Sequence, residues 1–158
     1  MSEKEEFVSK RTGVQFIKFA FVGLVNTGVD WIVFFLLTLI PFFDSTEWLA
    51  KTISFIIAAT NSFVMNSYWT FKQEFQEGMK RVEKGGRRVE KGTAYYIKFM
   101  IVSAIGWGLN TLIFSLMRYR LFTDIPERRS QLVSLFFASA VVVVWNFLAN
   151  KFWTYKEK

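Results

Sequence analysis

Four long stretches of this chain carry almost no charge. Three of them contain no Asp, Glu, Lys or Arg, and they cover residues 52–71, 99–117 and 131–150. The fourth covers residues 14–40, in which the charged residues are Lys18 and Asp30. A helix rises about 1.5 Å per residue, so about 20 residues cross a hydrocarbon core of about 30 Å. We therefore predict an all-α integral membrane protein with four transmembrane helices.

The composition agrees with a membrane protein and limits the chemistry that the chain can perform. Of its 158 residues, 52% are hydrophobic and 19% aromatic, which is more apolar surface than a soluble domain of this size can bury. The sequence has no Cys and no His, so it lacks disulfides, thiolates and the commonest metal ligand. It contains no recognisable set of nucleophile, base and metal ligands. We expect a protein that is not an enzyme and that uses no cofactor and no metal.

Basic residues concentrate in segments that the four helices would place on one side of the membrane. The amino-terminal segment, the central connection and the carboxyl end hold 15 of the 20 Lys and Arg residues. The other side holds five, which are Lys51, Arg118, Arg120, Arg128 and Arg129. Because cytoplasmic segments are enriched in Lys and Arg, we predict that both termini lie on the cytoplasmic side of the cell membrane. Topology accounts for the positive charge, so we expect no nucleic-acid partner.

The two halves of the chain repeat each other. The stretch FIKFAFVGLVNTGVDWIVFFL, which begins at Phe16, aligns with YIKFMIVSAIGWGLNTLIFSL, which begins at Tyr96. The stretch NSYWTFK at residues 66–72 aligns in the same way with NKFWTYK at residues 150–156. Each half contains two spans and therefore starts and ends on the same side. The halves are predicted to be parallel repeats, each of them a helical hairpin.

These features predict a single membrane domain over residues 1–158. Its parts are a cytoplasmic N-terminal segment at 1–13, repeat 1 at 14–72, a solvated cytoplasmic loop at 73–93 and repeat 2 at 94–156. The alternative to a purely solvated connection is an attraction of its basic residues to anionic membrane lipids, which its Glu residues would partly cancel.

Polar side chains within the spans are candidates for function. Asn26 and Asp30 are four residues apart on one face of helix 1, and Asn110 takes the position of Asp30 in the second repeat. Asp30 lies about 18 Å along the helix from Lys18, and Asn110 lies equally far from Lys98, which places both near or just beyond the bilayer centre. An ionised Asp at that depth costs about 2.5 to 3.5 kcal/mol, so we expect Asp30 to be protonated, paired or hydrated.

Three motifs together match a known family. They are FIKF at the start of helix 1, VGLVNT within that helix, and the doubled ending Asn-x-x-Trp-Thr-aromatic. With them the chain resembles the GtrA-like family of four-helix membrane proteins from about residue 15 to residue 156. The resemblance implies a role in glycosylating cell-surface polysaccharides such as teichoic acid or O antigen. Members of this family are thought to move a polyprenyl-phosphate-linked sugar from the cytoplasmic to the outer leaflet.

The sequence departs from the family pattern at one point. The spacing NFxxN is kept in helix 4 as NFLAN, from Asn146 to Asn150, whereas helix 2 reads NSFVMN. Ser62 therefore stands at the expected position, and Asn61 lies one residue earlier. One residue corresponds to a rotation of about 100° on a helix, so Asn61 faces a different direction.

The amides near the doubled motif have two interpretations. Asn66, Asn146 and Asn150 could bond across helices or to helix ends, each contributing about 0.6 kcal/mol. Alternatively, they bind the sugar hydroxyls or the phosphate of a lipid headgroup that arrives from the cytoplasmic leaflet. Lys18 and Lys98 lie at a similar depth and could neutralise a phosphate. We take all five, together with Asn26, Asp30 and Asn110, as candidate substrate-binding residues.

Two other functional classes stay open at this stage. One is a proton-coupled exporter of small hydrophobic cations, in which Asp30 would be the membrane carboxylate. The other is a scaffold that positions a membrane glycosyltransferase. Accordingly, a glycosyltransferase and further copies of the chain are candidate partners beside the lipid-linked sugar.

Overall fold

The computed structural model describes residues 3–83, 88–124 and 126–156, and these ranges contain helices and no strand. The α-helices are α1 (Glu3–Thr38), α2 (Glu47–Met65), α3 (Lys72–Glu83), α4 (Arg88–Leu116) and α5 (Glu127–Ala149). A short 3-10 helix at Pro41–Phe43 lies between α1 and α2, and π-helical turns at Asn66–Thr70, Met117–Leu121 and Asn150–Thr154 follow α2, α4 and α5. The chain forms two compact units, one ending at Gly92 and the other covering Thr93–Lys156.

The helices confirm the predicted all-α membrane fold. Within the described ranges, four helical segments are long and apolar enough to cross a membrane, namely Lys10–Thr38, Glu47–Thr70, Lys91–Leu121 and Glu127–Thr154. Each has at least 24 residues, which exceeds the length that a bilayer requires. The cytoplasmic location of the termini stays a prediction, and so does the grouping of both repeats into one membrane domain.

In the first unit, α1 and α2 form an antiparallel hairpin. Pro41 ends the first helix, because a residue before proline avoids the helical region, and Ile40 is extended with φ −93° and ψ 120°. The second helix begins at Glu47, whose negative charge suits the positive end of a helix dipole. Small residues four apart on α2, namely Ala50, Ser54 and Ala58, are buried and allow the helices to approach closely.

A helix occupies much of the segment that the sequence predicted to be a solvated loop. Phe75 in α3 is buried, and its ring lies edge-on to the rings of Tyr68 at 5.5 Å and Phe63 at 6.3 Å. Phe71 is also buried, and its ring centre lies 6.2 Å from that of Phe19. Aromatic residues four apart therefore hold α3 against the hairpin despite its high charge. Residues 84–87 of the predicted loop lie outside the described ranges.

Candidate functional site

The doubled motif forms the same irregular turn in each unit. Asn66–Thr70 and Asn150–Thr154 are both π-helical. In each turn the backbone N–H of the next aromatic residue, Phe71 or Tyr155, donates a hydrogen bond of 2.8 Å to the carbonyl of the Asn. Turns with this wider hydrogen-bonded ring are rare and occur frequently at functional sites. The sequence repeat located the motif but did not indicate this backbone geometry.

The Asn side chain that opens each turn is buried within its own unit. Asn66 and Asn150 are each 1% exposed. Their Nδ2 atoms donate to carbonyls one turn earlier, Asn66 to Ser62 at 2.9 Å and Asn150 to Asn146 at 2.8 Å. Across the described part of the chain, the Oδ1 atoms of Asn66, Asn146 and Asn150 and the hydroxyls of Thr70 and Thr154 are buried without a hydrogen-bond partner. Each motif therefore keeps hydrogen-bond acceptors and donors that no described residue uses. Leaving a buried polar atom without a partner costs about 1–3 kcal/mol.

One lysine in each unit lies over the Trp of the motif. The Nζ atom of Lys18 is 5.4 Å from the ring centre of Trp69, and that of Lys98 is 5.7 Å from the ring centre of Trp153. The attraction between an ammonium group and the face of an aromatic ring orients these long side chains. The structure thus brings each candidate lysine to the level of the motif in its own repeat.

A pocket of about 510 Å³ opens beside Lys18 in the first unit. Its walls come from α1, from the first π-helical turn and from the start of α3. Its charged and aromatic lining residues are Lys10, Arg11, Lys18, Lys72, Glu74 and Trp69. Four of these side chains are basic and one is acidic, so the pocket favours an anionic group. Among the described residues, no group of three or more acidic side chains is arranged to hold a metal ion.

Glu74 connects α3 to α1 at the wall of this pocket. Its Oε1 accepts hydrogen bonds from Arg11 Nη2 at 2.8 Å and from Gln15 Nε2 at 2.6 Å, and its side chain is 11% exposed. Its Oε2 has no partner within residues 3–83, 88–124 and 126–156. Sequence reasoning missed Glu74 because it interpreted the charged segment after the motif as a loop, and so it could not connect Arg11 and Gln15 with that segment. The four-residue spacing of Phe71 and Phe75 was the available signal for a packed helix.

Asn26 pairs with Asn61 between α1 and α2. Asn61 Nδ2 donates to Asn26 Oδ1 at 2.8 Å, and Asn26 Nδ2 donates to the Val22 carbonyl at 2.8 Å. Asn61 is the residue that departs from the family spacing. The hydrogen bond to Asn26 explains why an Asn stands at position 61, because the two amide groups meet where α1 and α2 are in contact.

The second unit fills the corresponding contact between its two helices with different residues. Gly106 takes the position of Asn26, and Asn146 takes that of Ser62. A Cβ atom added at Gly106 would lie 2.9 Å from Asn146 Nδ2, so the glycine makes room for that amide. One bulky amide from α5 thus fills the contact that two amides share in the first unit.

Asp30 is paired rather than isolated. Its carboxylate forms an ion pair with Lys51 and accepts a hydrogen bond from Ser54 Oγ at 2.7 Å. The Asp30 side chain is 20% exposed and that of Lys51 is 53% exposed, so the ion pair is only partly buried within the protein. The sequence analysis counted Lys51 among the basic residues of the opposite side and did not connect it with Asp30. In the second unit the uncharged Asn110 stands at this position, half-buried on α4.

These features define a class, which is a multi-pass helical membrane protein built from two similar hairpins with a basic, aromatic pocket at the end of the first. A family model described as GtrA/DPMS, transmembrane domain, matches residues 18–155, and the chain belongs to that family. The resemblance found in the sequence is therefore confirmed. The comparisons found no matching curated protein and no matching solved structure. Family membership supports a membrane protein that is involved in lipid-linked sugar translocation or in glycosylation.

Proposed function

We propose that the protein moves a polyprenyl-phosphate-linked monosaccharide across the cytoplasmic membrane. The sugar would then serve to glycosylate a cell-surface polysaccharide such as teichoic acid or O antigen. The observation that carries this proposal is the pocket beside Lys18, where basic side chains and an aromatic ring meet at the end of a membrane span. Family membership supports a lipid-linked sugar, and the pocket supports its anionic headgroup.

The chemistry of the pocket suits both parts of a sugar phosphate. Lys10, Lys18 and Lys72 line it with ammonium groups that can bind a phosphate as point charges. Trp69 offers a ring on which a sugar can pack, and the buried hydroxyl of Thr70 at the pocket wall has no hydrogen-bond partner in the described structure. The prenyl chain would follow the apolar outer face of α1, where Ile17 is 69% exposed.

The amides of the doubled motif supply further acceptors under this proposal. The Oδ1 atoms of Asn66, Asn146 and Asn150 have no donor among the described residues, and sugar hydroxyls are donors of the required kind. Because Asn66 and Asn150 are buried, a ligand would have to displace part of the surrounding structure to reach them. Lys98 would serve the second motif as Lys18 serves the first.

Polar side chains along α1 suggest a route for the headgroup. Asn26 and Asp30 are four residues apart and lie on one side of the helix, whereas Lys18 is rotated from Asp30 by about 120°. From Lys18 to Asp30 the helix rises about 18 Å, which is more than half of the hydrocarbon core. Lys51, paired with Asp30, provides a second cation at the far end of this stretch.

The contacts of Asp30 do not favour the proton-coupled exporter. Such a mechanism needs a membrane carboxylate that alternately binds a proton and the transported cation. The carboxylate of Asp30 instead has Lys51 and Ser54 as partners. We therefore retain lipid-linked sugar transport as the proposed function.

Reconstitution in liposomes tests the proposal directly. The probe is a short-chain prenyl phosphate glucose, and the measurement is the rate at which its sugar becomes accessible to an impermeant oxidant. We expect Lys18→Ala to slow this rate by about 10-fold to 100-fold, because a hydrogen bond to a charged group contributes about 1.5–3 kcal/mol.

Lys80→Ala is the matched control, because Lys80 is exposed on α3 and does not line the pocket. This variant should move the probe at the wild-type rate. A wild-type rate equal to that of empty liposomes would contradict transport and leave the scaffold role.

A further inference from the structure

The two repeats carry different side chains at one position near the motif. In the alignment of the repeats, Gln15 on α1 corresponds to Tyr95 on α4. The aromatic residue that follows each motif is Phe71 in the first unit and Tyr155 in the second. All four side chains are buried, so this position can be compared between the units as part of the packed structure.

In the first unit, position 15 belongs to the wall of the pocket. Gln15 lines the pocket, and its Nε2 donates to Glu74 Oε1 at 2.6 Å. This hydrogen bond directs the amide of Gln15 toward α3. A space of about 510 Å³ stays open beside Lys18 and Trp69. A slender, unbranched side chain at position 15 is therefore compatible with an open pocket.

In the second unit, two aromatic rings are packed together at the corresponding place. The ring of Tyr95 is stacked on that of Tyr155, with ring centres 5.8 Å apart and 19° between the ring planes. Tyr95 is 7% exposed and Tyr155 is 1% exposed. Stacking of this kind is favourable beyond the burial of the rings, so the pair resists separation. The rings thus occupy the place that corresponds to the Gln15 wall of the pocket.

The second unit keeps part of the pocket's chemistry. Arg11 lines the pocket in the first unit, and its counterpart in the repeat is Lys91. Lys91 belongs to the first unit, where its Nζ donates to the Gly78 carbonyl at 2.8 Å. The lysine, the Trp and the Thr that line the pocket have counterparts in the second unit, which are Lys98, Trp153 and Thr154.

We infer that each chain binds one headgroup, in the first unit, because Gln15 leaves that pocket open and Tyr95 closes its counterpart. This inference rests on the proposed function, which supplies the ligand class. A headgroup meets an open pocket in the first unit, whereas it would have to displace two packed rings in the second. Lys18 then acts in initial binding, and Lys98 acts in a later step of transport.

The number of lipid probes bound per chain tests this inference. The probe is short-chain prenyl phosphate glucose, added to the purified full-length protein in detergent. Native mass spectrometry counts the bound probes, and a titration gives the Kd. We expect one probe per wild-type chain. Gln15→Tyr should weaken binding at least about 10-fold, because the larger ring enters the space of the pocket.

Gln76→Tyr is the matched control for this variant. It makes the same substitution at an exposed position of α3 that does not line the pocket, and it should bind the probe as the wild-type protein does. Gln15→Met keeps a slender side chain and removes the amide. It should weaken binding less than Gln15→Tyr does, which separates the filling of the pocket from the loss of the hydrogen bond to Glu74.

Tyr95→Gln tests the second unit through a gain of binding, which misfolding cannot produce. Removing the ring opens the place beside Lys98 and Trp153, so this variant should bind a second probe. The second site should be weaker than the first, because it lacks a counterpart of Arg11 among its lining residues. Tyr95→Phe keeps the ring and should still bind one probe.

The outcomes separate the inference from the proposed function. Two probes on the wild-type chain, equal binding by Gln15→Tyr and Gln76→Tyr, or a single probe on Tyr95→Gln would overturn the inference and leave the proposed function intact. Absence of binding by the wild-type protein would overturn both. If soluble glucose 1-phosphate binds as tightly as the lipid probe, the ligand is not lipid-linked, and the proposed function is wrong.

Discussion

Single amide side chains decide how the two helices of each hairpin meet. In the first unit, Asn26 and Asn61 share the contact through a hydrogen bond of 2.8 Å. In the second unit, Gly106 faces Asn146, whose amide occupies the space that a side chain at position 106 would need. In the first unit both helices contribute an amide side chain to the contact, whereas in the second unit only one helix does. This difference explains why the Asn positions of the two repeats do not align.

Gly106→Ala should destabilise the protein. The added methyl group would lie 2.9 Å from Asn146 Nδ2, and overpacking at a buried contact costs about 1–3 kcal/mol. The melting temperature in detergent should therefore fall. Gly108→Ala is the control on the same helix, because a Cβ atom there meets nothing within 4 Å. An equal effect of both substitutions would show that the fit to Asn146 is not limiting.

At the scale of the elements, the π-helical turn and α3 together build the pocket. The turn places Trp69 and Thr70 at the pocket wall, and α3 brings Lys72 and Glu74 to the same place. Phe75 anchors this short helix through its buried ring, which lies against Tyr68 and Phe63. The pocket therefore depends on the docking of a segment outside the apolar spans.

Phe75→Ala should release α3 while the spans stay folded. Removing a buried Phe side chain costs about 3–5 kcal/mol. Backbone amides of Lys72–Glu83 should then exchange hydrogen at least about 100-fold faster, as measured by mass spectrometry. Exchange within α2 should change little. Gln76→Ala, at an exposed position next in sequence, should leave the exchange rates unchanged, and similar rates in both variants would contradict the anchoring role.

At the scale of the whole molecule, the two units share their local features. Each contains a motif Asn that opens a π-helical turn, a lysine over the motif Trp, and a buried Thr hydroxyl without a described partner. The charged features differ, since Asp30 has the uncharged counterpart Asn110. Two similar hairpins in one chain are compatible with the predicted parallel repeat, whose orientation is still to be measured.

Cysteine labelling in intact cells measures that orientation without background, because the native chain has no Cys. Ser45→Cys and Thr123→Cys lie in the connections within the two hairpins and should react with an impermeant reagent from outside. Gln76→Cys and Lys156→Cys should react only after the cells are permeabilised, because the basic segments lie on the cytoplasmic side. Labelling of only one of the two hairpin connections from outside would contradict the parallel repeat.

The sequence by itself determined the membrane class, the four spans and the internal repeat. These properties follow from local composition, since about 20 uncharged residues form a helix in lipid whatever their neighbours are. The family was recognisable for the same reason, because FIKF and the doubled Asn-x-x-Trp-Thr motif are contiguous in the chain. The sequence also placed Lys18, Lys98 and both copies of the motif near the same side of the membrane, because each lies close to the end of an apolar span that topology assigns to that side.

Only the tertiary structure decided which polar groups meet. Asp30 and Lys51 are 21 residues apart and Arg11 and Glu74 are 63 apart, so no local periodicity connects either pair. The contacts depend on the register of antiparallel helices and on the docking of α3. Those are set by side-chain packing at Asn61, Gly106 and Phe75, because a close-packed contact depends on the shape of both partners and not on the composition of either segment.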